Sequence, residues 1–320
     1  MSELHKFVFE GLPVRGMLVR LTDSWKEVLQ RRADRPFPQP VRVLLGEMAA
    51  ASVLMQGSIK FNGSLILQVF GDGPVKLAVA EAQADLSFRA TATVVGEVPA
   101  DARVEAMLNV HGQGRCSITL DPRDKLPGQT PYQGIVPLHG DKREPLQNVS
   151  DVLEHYMLQS EQLDTRLILA ANDEVAAGLL IQRLPSEGPK DSEGTYTRAD
   201  EDEIGINEDY NRIAHLASTL TSEELLTLDA DTLLRRLFWE ETVRRFEPLQ
   251  PTFACTCSRE RVSNMLRGLG QEEVDGIIAE QGRAEIGCEF CGRMYHYDVV
   301  DAAELFMQGR DQPPGTATVQ

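Results

Sequence analysis

The chain has 320 residues, 42 % hydrophobic and 25 % charged, with 49 acidic against 32 basic side chains and a net charge of −17. This balance fits an ordinary globular protein with a sizeable core, and the length favours two domains. No apolar run is long enough to span a membrane as a helix, and so acidic a surface repels phosphate backbones, so neither a membrane nor a nucleic acid is expected as a partner. The N-terminus around His5 to Pro13 lacks the apolar core and small-residue cleavage site of a signal peptide. A cytoplasmic location is expected, where thiols stay reduced or sit on a metal.

The first 185 residues read as an α+β domain, residues 1–185. Phe7 to Glu10 and Val14 to Leu21 are β-prone runs separated by Gly11 and Pro13. Asp23 or Ser24 can cap a helix carrying Trp25, Val28 and Leu29, and Val41 to Met55 reads as a mostly buried helix. Strands are expected over Ser64 to Phe70, Val75 to Ala80, Leu86 to Val94, Cys116 to Leu120 and Gln133 to Leu138. Gly71-Asp72-Gly73 reads as a hairpin turn, since no Lys-Ser/Thr follows it as a phosphate loop requires. Val149 to Leu163 is a helix candidate, followed by a hairpin of Arg166 to Ala171 and Val175 to Leu184 turning at Asn172-Asp173. Strands cluster in runs, which is the α+β pattern rather than alternating βαβ.

Residues 186–250 form an acidic linker and a metastable helical region. Ser186 to Asp209 holds nine acidic and two basic residues with almost no large apolar side chain, and reads as a mobile linker. Thr221 and Glu224 have capping-box spacing ahead of Leu225, Leu226 and Leu228. Asp231 can cap a further helix with Leu233, Leu234, Leu237 and Phe238 on one stripe and Arg235 and Arg236 opposite. Helices this short are marginal alone, so their apolar faces must dock on something.

Residues 251–310 carry the chemistry, and 311–320 form a tail without a motif. Cys255 and Cys257 (C-x-C) are followed, 30 residues later, by Cys288 and Cys291 (C-x-x-C). Each close pair offers two thiolates from one short turn, and one closed loop unites the pairs into a four-thiolate zinc site. Such a site has no open position for substrate. It is structural when reduced, and every ligand is oxidisable. Ser258 can cap a helix with Val262, Met265, Leu266 and Leu269 on one stripe. Val274, Ile277 and Ile278 make a second stripe ended by Gly282, before a hairpin carrying the Cys288–Cys291 knuckle and a last helix around Leu305 and Phe306. So small a core depends on the metal, whose binding is worth roughly 10–16 kcal/mol. Cys116 reads as a buried small hydrophobe, and His296 as a hairpin residue rather than a spare ligand.

At these residues the chain resembles the redox-regulated heat-shock chaperone family known as the 33 kDa chaperonin (heat shock protein 33). The matching pieces are the C-x-C followed by Ser258-Arg259-Glu260-Arg261-Val262, and Cys288-Glu289-Phe290-Cys291-Gly292. Further matches are Tyr132-Gln133-Gly134-Ile135-Val136, Ser160-Glu161-Gln162-Leu163 and Ala177-Gly178-Leu179-Leu180 through Leu184-Pro185. Thr256 stands where a basic residue is common in the family.

The resemblance implies a non-enzymatic, ATP-independent holdase that is inactive with one Zn²⁺ per chain on Cys255, Cys257, Cys288 and Cys291. It also implies that oxidation forms the disulfides Cys255–Cys257 and Cys288–Cys291, releases zinc, and unfolds the module and linker. Unfolding client proteins are then held, by a homodimer in the active state, and passed to ATP-driven chaperones. An i to i+2 pair sits near the limit of disulfide geometry whereas an i to i+3 pair reaches it easily, so Cys288 and Cys291 should link first. Two other readings are a purely structural zinc site and a thiol-disulfide oxidoreductase; the latter needs one reactive C-x-x-C at a helix start near a βαβ pattern.

Overall fold

The computed structural model describes residues 1–125, 128–184 and 205–307, and divides into two units, Met1–Ala254 and Cys255 onward.

The first unit is built on two sheets around one buried helix. The first sheet has the order β10-β1-β2-β9-β8, with β1 Glu3–Phe9, β2 Val14–Leu21, β8 Thr165–Ala171, β9 Ala176–Arg183 and β10 Val243–Arg245, all antiparallel. The second has the order β11-β5-β4-β3-β6-β7, with β3 Gly63–Phe70, β4 Val75–Gln83, β5 Ser87–Val94, β6 Arg115–Pro122, β7 Tyr132–Pro137 and β11 Thr252–Phe253. Helix α2, Gln39–Ser58, packs against strands of both sheets. Its buried side chains (Val41, Leu44, Leu45, Met48, Val53 and Leu54) lie all around the axis, and only Arg42, Val43 and Glu47 interrupt the burial between Pro40 and Gly57. Gly46 permits this closeness, because a Cβ there would lie 2.5 Å from the Cβ of Ala171. Among the described residues no helix is long and apolar enough to cross a membrane.

The expected elements of this α+β unit form, with local differences. Helix α1, Asp23–Gln30, begins at Thr22, and Ser2 Oγ accepts from the backbone N–H of Thr22 and Ser24 at 2.9 and 3.3 Å. Its first N–H groups are therefore capped by Ser2, just ahead of β1, rather than by Asp23 or Ser24. The expected Gly71-Asp72-Gly73 turn joins the antiparallel strands β3 and β4, and Asp72 ties it to the loop before β6, accepting from the N–H of His111 and Gln113 at 3.1 and 2.8 Å. Asn172 Oδ1 accepts from the N–H of Glu174 and Val175, both at 2.8 Å, and this closes the β8–β9 hairpin. Helix α3, Val104–Leu108, is a single short turn that carries no periodic signal. Helix α4, Val149–Glu161, ends at Gln162 in the left-handed region, φ 55°.

A layer of three helices, α5 Glu208–Ala217, α6 Ser222–Thr227 and α7 Ala230–Leu237, covers the outer face of the first sheet. Tyr210, Ile213, Leu225, Leu233, Leu234, Leu237 and Phe238 bury there against Phe7, Phe9, Leu18, Leu179 and Ile181. Phe238 meets Phe9 edge-on at 5.0 Å between centroids. With both faces covered, β9 is buried along its whole length, which is why it reads as a continuous apolar run.

The capping box of Thr221 and Glu224 forms. The cap of α7 is Asp229, accepting from Thr232 N–H at 2.9 Å, whereas Asp231 lies in the first helical turn and pairs with Arg245. Most of the acidic linker lies outside the described residues. Glu208 and Asp209 belong to α5, where acidic side chains suit the positive end of the helix behind the Asn207 cap.

The layer is tied at both ends to the β1–β2 turn, since Leu184 N–H donates to Pro13 O at 2.7 Å and Glu10 N–H to Thr242 O at 2.9 Å. The buried Asp164 carboxylate adds a further tie, accepting from Arg183 Nε at 2.8 Å and from Gly205 N–H at 3.1 Å. Beyond the layer, β10 and β11 join the edges of the two sheets, so the first unit runs on to Ala254.

The second unit contains α8 Arg259–Leu269, α9 Gln271–Gln281, a hairpin of β12 Ala284–Gly287 and β13 Met294–Tyr297, and α10 Val299–Met307. Its core is Leu266, Val274, Ile278, Ala284, Tyr295, Tyr297, Ala302 and Leu305. Of the stripe expected on α8, Leu266 is buried and Val262 partly so, but Met265 and Leu269 are 47 % and 53 % exposed. The unit is too small to surround that helix on more than one narrow face.

Candidate metal centre

Two chain segments build the site. Cys255 and Cys257 lie on the irregular segment leading into α8, whose start is fixed by Ser258 Oγ accepting from Arg261 N–H at 3.2 Å. Cys288 and Cys291 lie on the knuckle between β12 and β13. There Gly292 N–H donates to Cys288 O at 2.8 Å and Cys288 N–H to Arg293 O at 2.9 Å. Gly292 has φ 68°, a conformation that glycine takes without steric cost.

The four predicted residues come together. One Sγ from each of Cys255, Cys257, Cys288 and Cys291 lies within 4.8 Å of the other three. Two close approaches cross between the pairs, Cys255 to Cys288 at 3.6 Å and Cys257 to Cys291 at 3.4 Å. Four thiolates around zinc at ~2.3 Å stand about 3.8 Å apart, so this donor set fits a tetrahedral ion of that size. All five cysteines are free. Cys116 is buried in β6, with its thiol pushed up to about 12 by burial, and has no part in the cluster. His296 turns to Glu285 across the hairpin, at 3.4 Å, and is not a fifth donor.

The surroundings divide the four sulfurs. Burial pushes the Cys291 thiol up to about 12, and its hydrogen bonds to the other three thiols push the same way. Burial acts upward on Cys257 too, but hydrogen bonds from Tyr295 and the neighbouring thiols outweigh it and bring that thiol down to about 7. Burial raises Cys255. One thiolate thus forms readily, and its charge opposes the next unless a cation neutralises it.

Two hydroxyls and two arginines frame this arrangement, and the cysteine spacing alone did not reveal them. Tyr295 Oη donates to Cys257 Sγ at 3.2 Å. Arg293 lies beside Tyr295, Cys257 and Cys291, and these neighbours hold its guanidinium above the usual arginine range. Arg261 donates to Thr256 Oγ1 at 2.7 Å, so a guanidinium from the first turn of α8 stands beside the residue between the first two cysteines.

The sequence profile of the Hsp33 protein family matches residues 2–298. A 33 kDa chaperonin from Chromobacterium violaceum is 48 % identical over 306 residues, covering 95 % of this chain and 94 % of that one. Another 33 kDa chaperonin, from Nitrosococcus oceani, is 41 % identical over 317 residues, covering 99 % and 98 %. The crystal structure of the 33 kDa chaperonin (heat shock protein 33 homolog) of Thermotoga maritima superposes with a TM-score of 0.75 over 98 % of this chain and 100 % of that one, at 21 % identity. The fold is shared even where the sequence has diverged. On these matches, and with four cysteines placed to hold a metal ion, the chain belongs to the Hsp33 family of chaperones.

Proposed function

We propose that this chaperone is a redox-regulated, ATP-independent holdase of the cytoplasm, held inactive while Cys255, Cys257, Cys288 and Cys291 carry one zinc ion. The convergence of four sulfurs from two sequence-distant segments supports the reading, because no other donor is needed and no open position is left. Zinc bound there supplies cross-linking between the two segments and a share of the unit's folding free energy of roughly 10–16 kcal/mol.

Peroxide joins Cys288 to Cys291 and then Cys255 to Cys257. Each bridge takes two electrons from two thiolates, and one peroxide accepts them with two protons to become two waters. All four sulfurs lie within 4.8 Å of one another, and the side chains must close to bonding distance to link within each pair. A bridged pair no longer offers thiolates, so the cysteines lose their hold on the ion and the small unit melts. Apolar surface on the helical layer is then available to unfolding client proteins, and the net charge of −17 keeps the complex dispersed. In this reading the active form is a homodimer that hands its clients to ATP-driven chaperones.

The test is light scattering of a heat-labile client with reduced and with peroxide-treated protein, following zinc release in parallel. Suppression of aggregation only after oxidation, in step with release of one zinc per chain, is expected. Equal suppression by the reduced, metal-loaded protein would overturn the proposal.

A further inference from the structure

One cavity of the first unit has no part in the chemistry above. Its volume is about 230 Å³, smaller than the ~300–1,000 Å³ typical of drug-sized ligands, so it suits a short one. One wall is the stripe of α2 that Gln39, Val43 and Glu47 share at a spacing of four residues. The facing wall comes from residues 100–104 and 147–148, which Val104 N–H ties together by donating to Gln147 O at 3.3 Å. Leu44, Ala102, Val104 and Met107 make much of the lining apolar.

The polar groups of this cavity are acceptors that lack donors. Glu47 makes no hydrogen bond and no ion pair among the described residues. The charge that reaches it is that of Asp151, a second anion, while Arg103, which also lines the cavity, is exposed. Gln147 Nε2 donates to Glu105 Oε2 at 2.6 Å, and Asn148 Nδ2 donates to Asp151 Oδ2 at 2.7 Å. Each amide thus gives its nitrogen to an acid and keeps its oxygen for a donor. Asn148 stands at the N-cap of α4, yet its side-chain oxygen accepts from no helical N–H. A carboxylate largely out of water and without a donor costs free energy, and a cation bringing several N–H groups offsets that cost.

We infer that this cavity binds a primary alkylammonium, with its N–H donors shared among the Glu47 carboxylate and the side-chain oxygens of Gln147 and Asn148, and its short chain against Leu44, Val104 and Met107. The site is independent of the metal and of the redox reading. An ammonium has three donors for these three acceptor groups, and its alkyl stem covers the apolar wall. A quaternary ammonium has the charge but no donor. The same chemistry occurs in a free amine and in a lysine side chain. Binding is coupled to a proton. Burial, with help from Asp151, keeps Glu47 protonated up to about 8 while the cavity is empty. The ammonium favours the carboxylate, so below that pH each ligand bound displaces one proton to solvent. The amine itself, like lysine at ~10.4, stays charged throughout. Affinity should therefore rise about tenfold per pH unit between pH 6 and pH 8. The other charges around the cavity are Asp101 and Arg103 in its lining, and Glu105 and Asp151 behind the two amides.

The experiment titrates the full-length reduced protein calorimetrically with n-butylammonium, in phosphate and in HEPES so that the two heats report the protons released, at pH 6, 7 and 8. Tetramethylammonium is the control of equal charge. One site per chain is expected, with about one proton released per ligand at pH 7. Glu47→Gln should lose at least about tenfold in affinity, the carboxylate's charge-assisted bonds being gone. Glu273→Gln, at an exposed acid of α9, should change nothing. Parallel titrations with 1,4-diaminobutane and with Nα-acetyl-lysine N-methylamide show, by which binds tighter, whether the cavity serves a free diamine or a peptide-borne lysine. Failure of all three amines to saturate a site, equal binding of tetramethylammonium, or an affinity that does not change with pH overturns the inference. So does undiminished binding by Glu47→Gln. If that variant melts below wild type at pH 6, Asn148→Ala decides, and unchanged affinity there overturns the inference too.

Discussion

Glu47 shows how one side chain can make the first unit sensitive to pH. It lies on α2, which both sheets enclose, and burial raises its carboxyl to about 8 with help from the charge of Asp151. In the unfolded chain the same group titrates near its ordinary value of 4.5. Below that value it is neutral in both states and costs nothing. Between there and about 8 the folded protein keeps the proton that the unfolded chain gives up, so this contribution to stability is lost as pH rises and is gone above pH 8. Glu47→Gln stays neutral throughout. Its melting temperature should exceed that of wild type at pH 9, with the gap closing toward pH 5. Calorimetry that finds the same gap at both pH values would contradict this. At the same scale, the four cysteines were legible in the sequence because their spacing alone places two donors on each turn. Tyr295 and Arg293 were not, because a hydrogen bond onto a sulfur leaves no periodic trace.

Among the elements, α7 joins local and tertiary structure most directly. Its Asp229 cap and its Arg235 and Arg236 in the last turn suit an isolated helix, but eight residues cannot sustain one without a surface to bury Leu233, Leu234 and Leu237. That surface is the outer face of the first sheet, with Phe238 set against Phe7 and Phe9. Leu237→Glu places a charge in this contact without an opposing partner, which costs several kcal/mol. It should free α7 and raise holdase activity in the reduced protein. Hydrogen exchange showing α7 as protected as in wild type, together with oxidant-independent activity, would separate the activity from undocking and reject the link.

The sequence pattern revealed the docking stripe because its period is helical. It placed the cap two residues late, at Asp231, since both aspartates precede the same leucines and only the backbone turn selects Asp229. The strands β10 and β11 went unseen for another reason. They are three and two residues long and pair only at sheet edges, so their structure comes from Phe7–Phe9 and Ser87–Phe88 rather than from their own residues.

At the scale of the whole molecule, the two units differ in what holds them folded. The first has a large continuous core around α2 and a second one under the helical layer. The second has eight buried hydrophobic residues, two of them tyrosines, and a cysteine cluster. Chelating the metal from reduced protein should therefore abolish exchange protection over residues 259–307 while β2, β3, β4 and β9 keep theirs. Retained protection in α8 and α9 after complete metal removal would show that the small core suffices alone. The helical layer adds a further property through its attachment. Leu184 and Thr242 are both fastened to the β1–β2 turn, at Pro13 and Glu10, so the chain between them is a closed loop even when its helices are undone. A polymer loop that remains closed has already lost the entropy of bringing its ends together, and its return requires no encounter with a second molecule. Redocking of α5–α7 should thus proceed at a rate independent of protein concentration, which stopped-flow refolding at several concentrations would check.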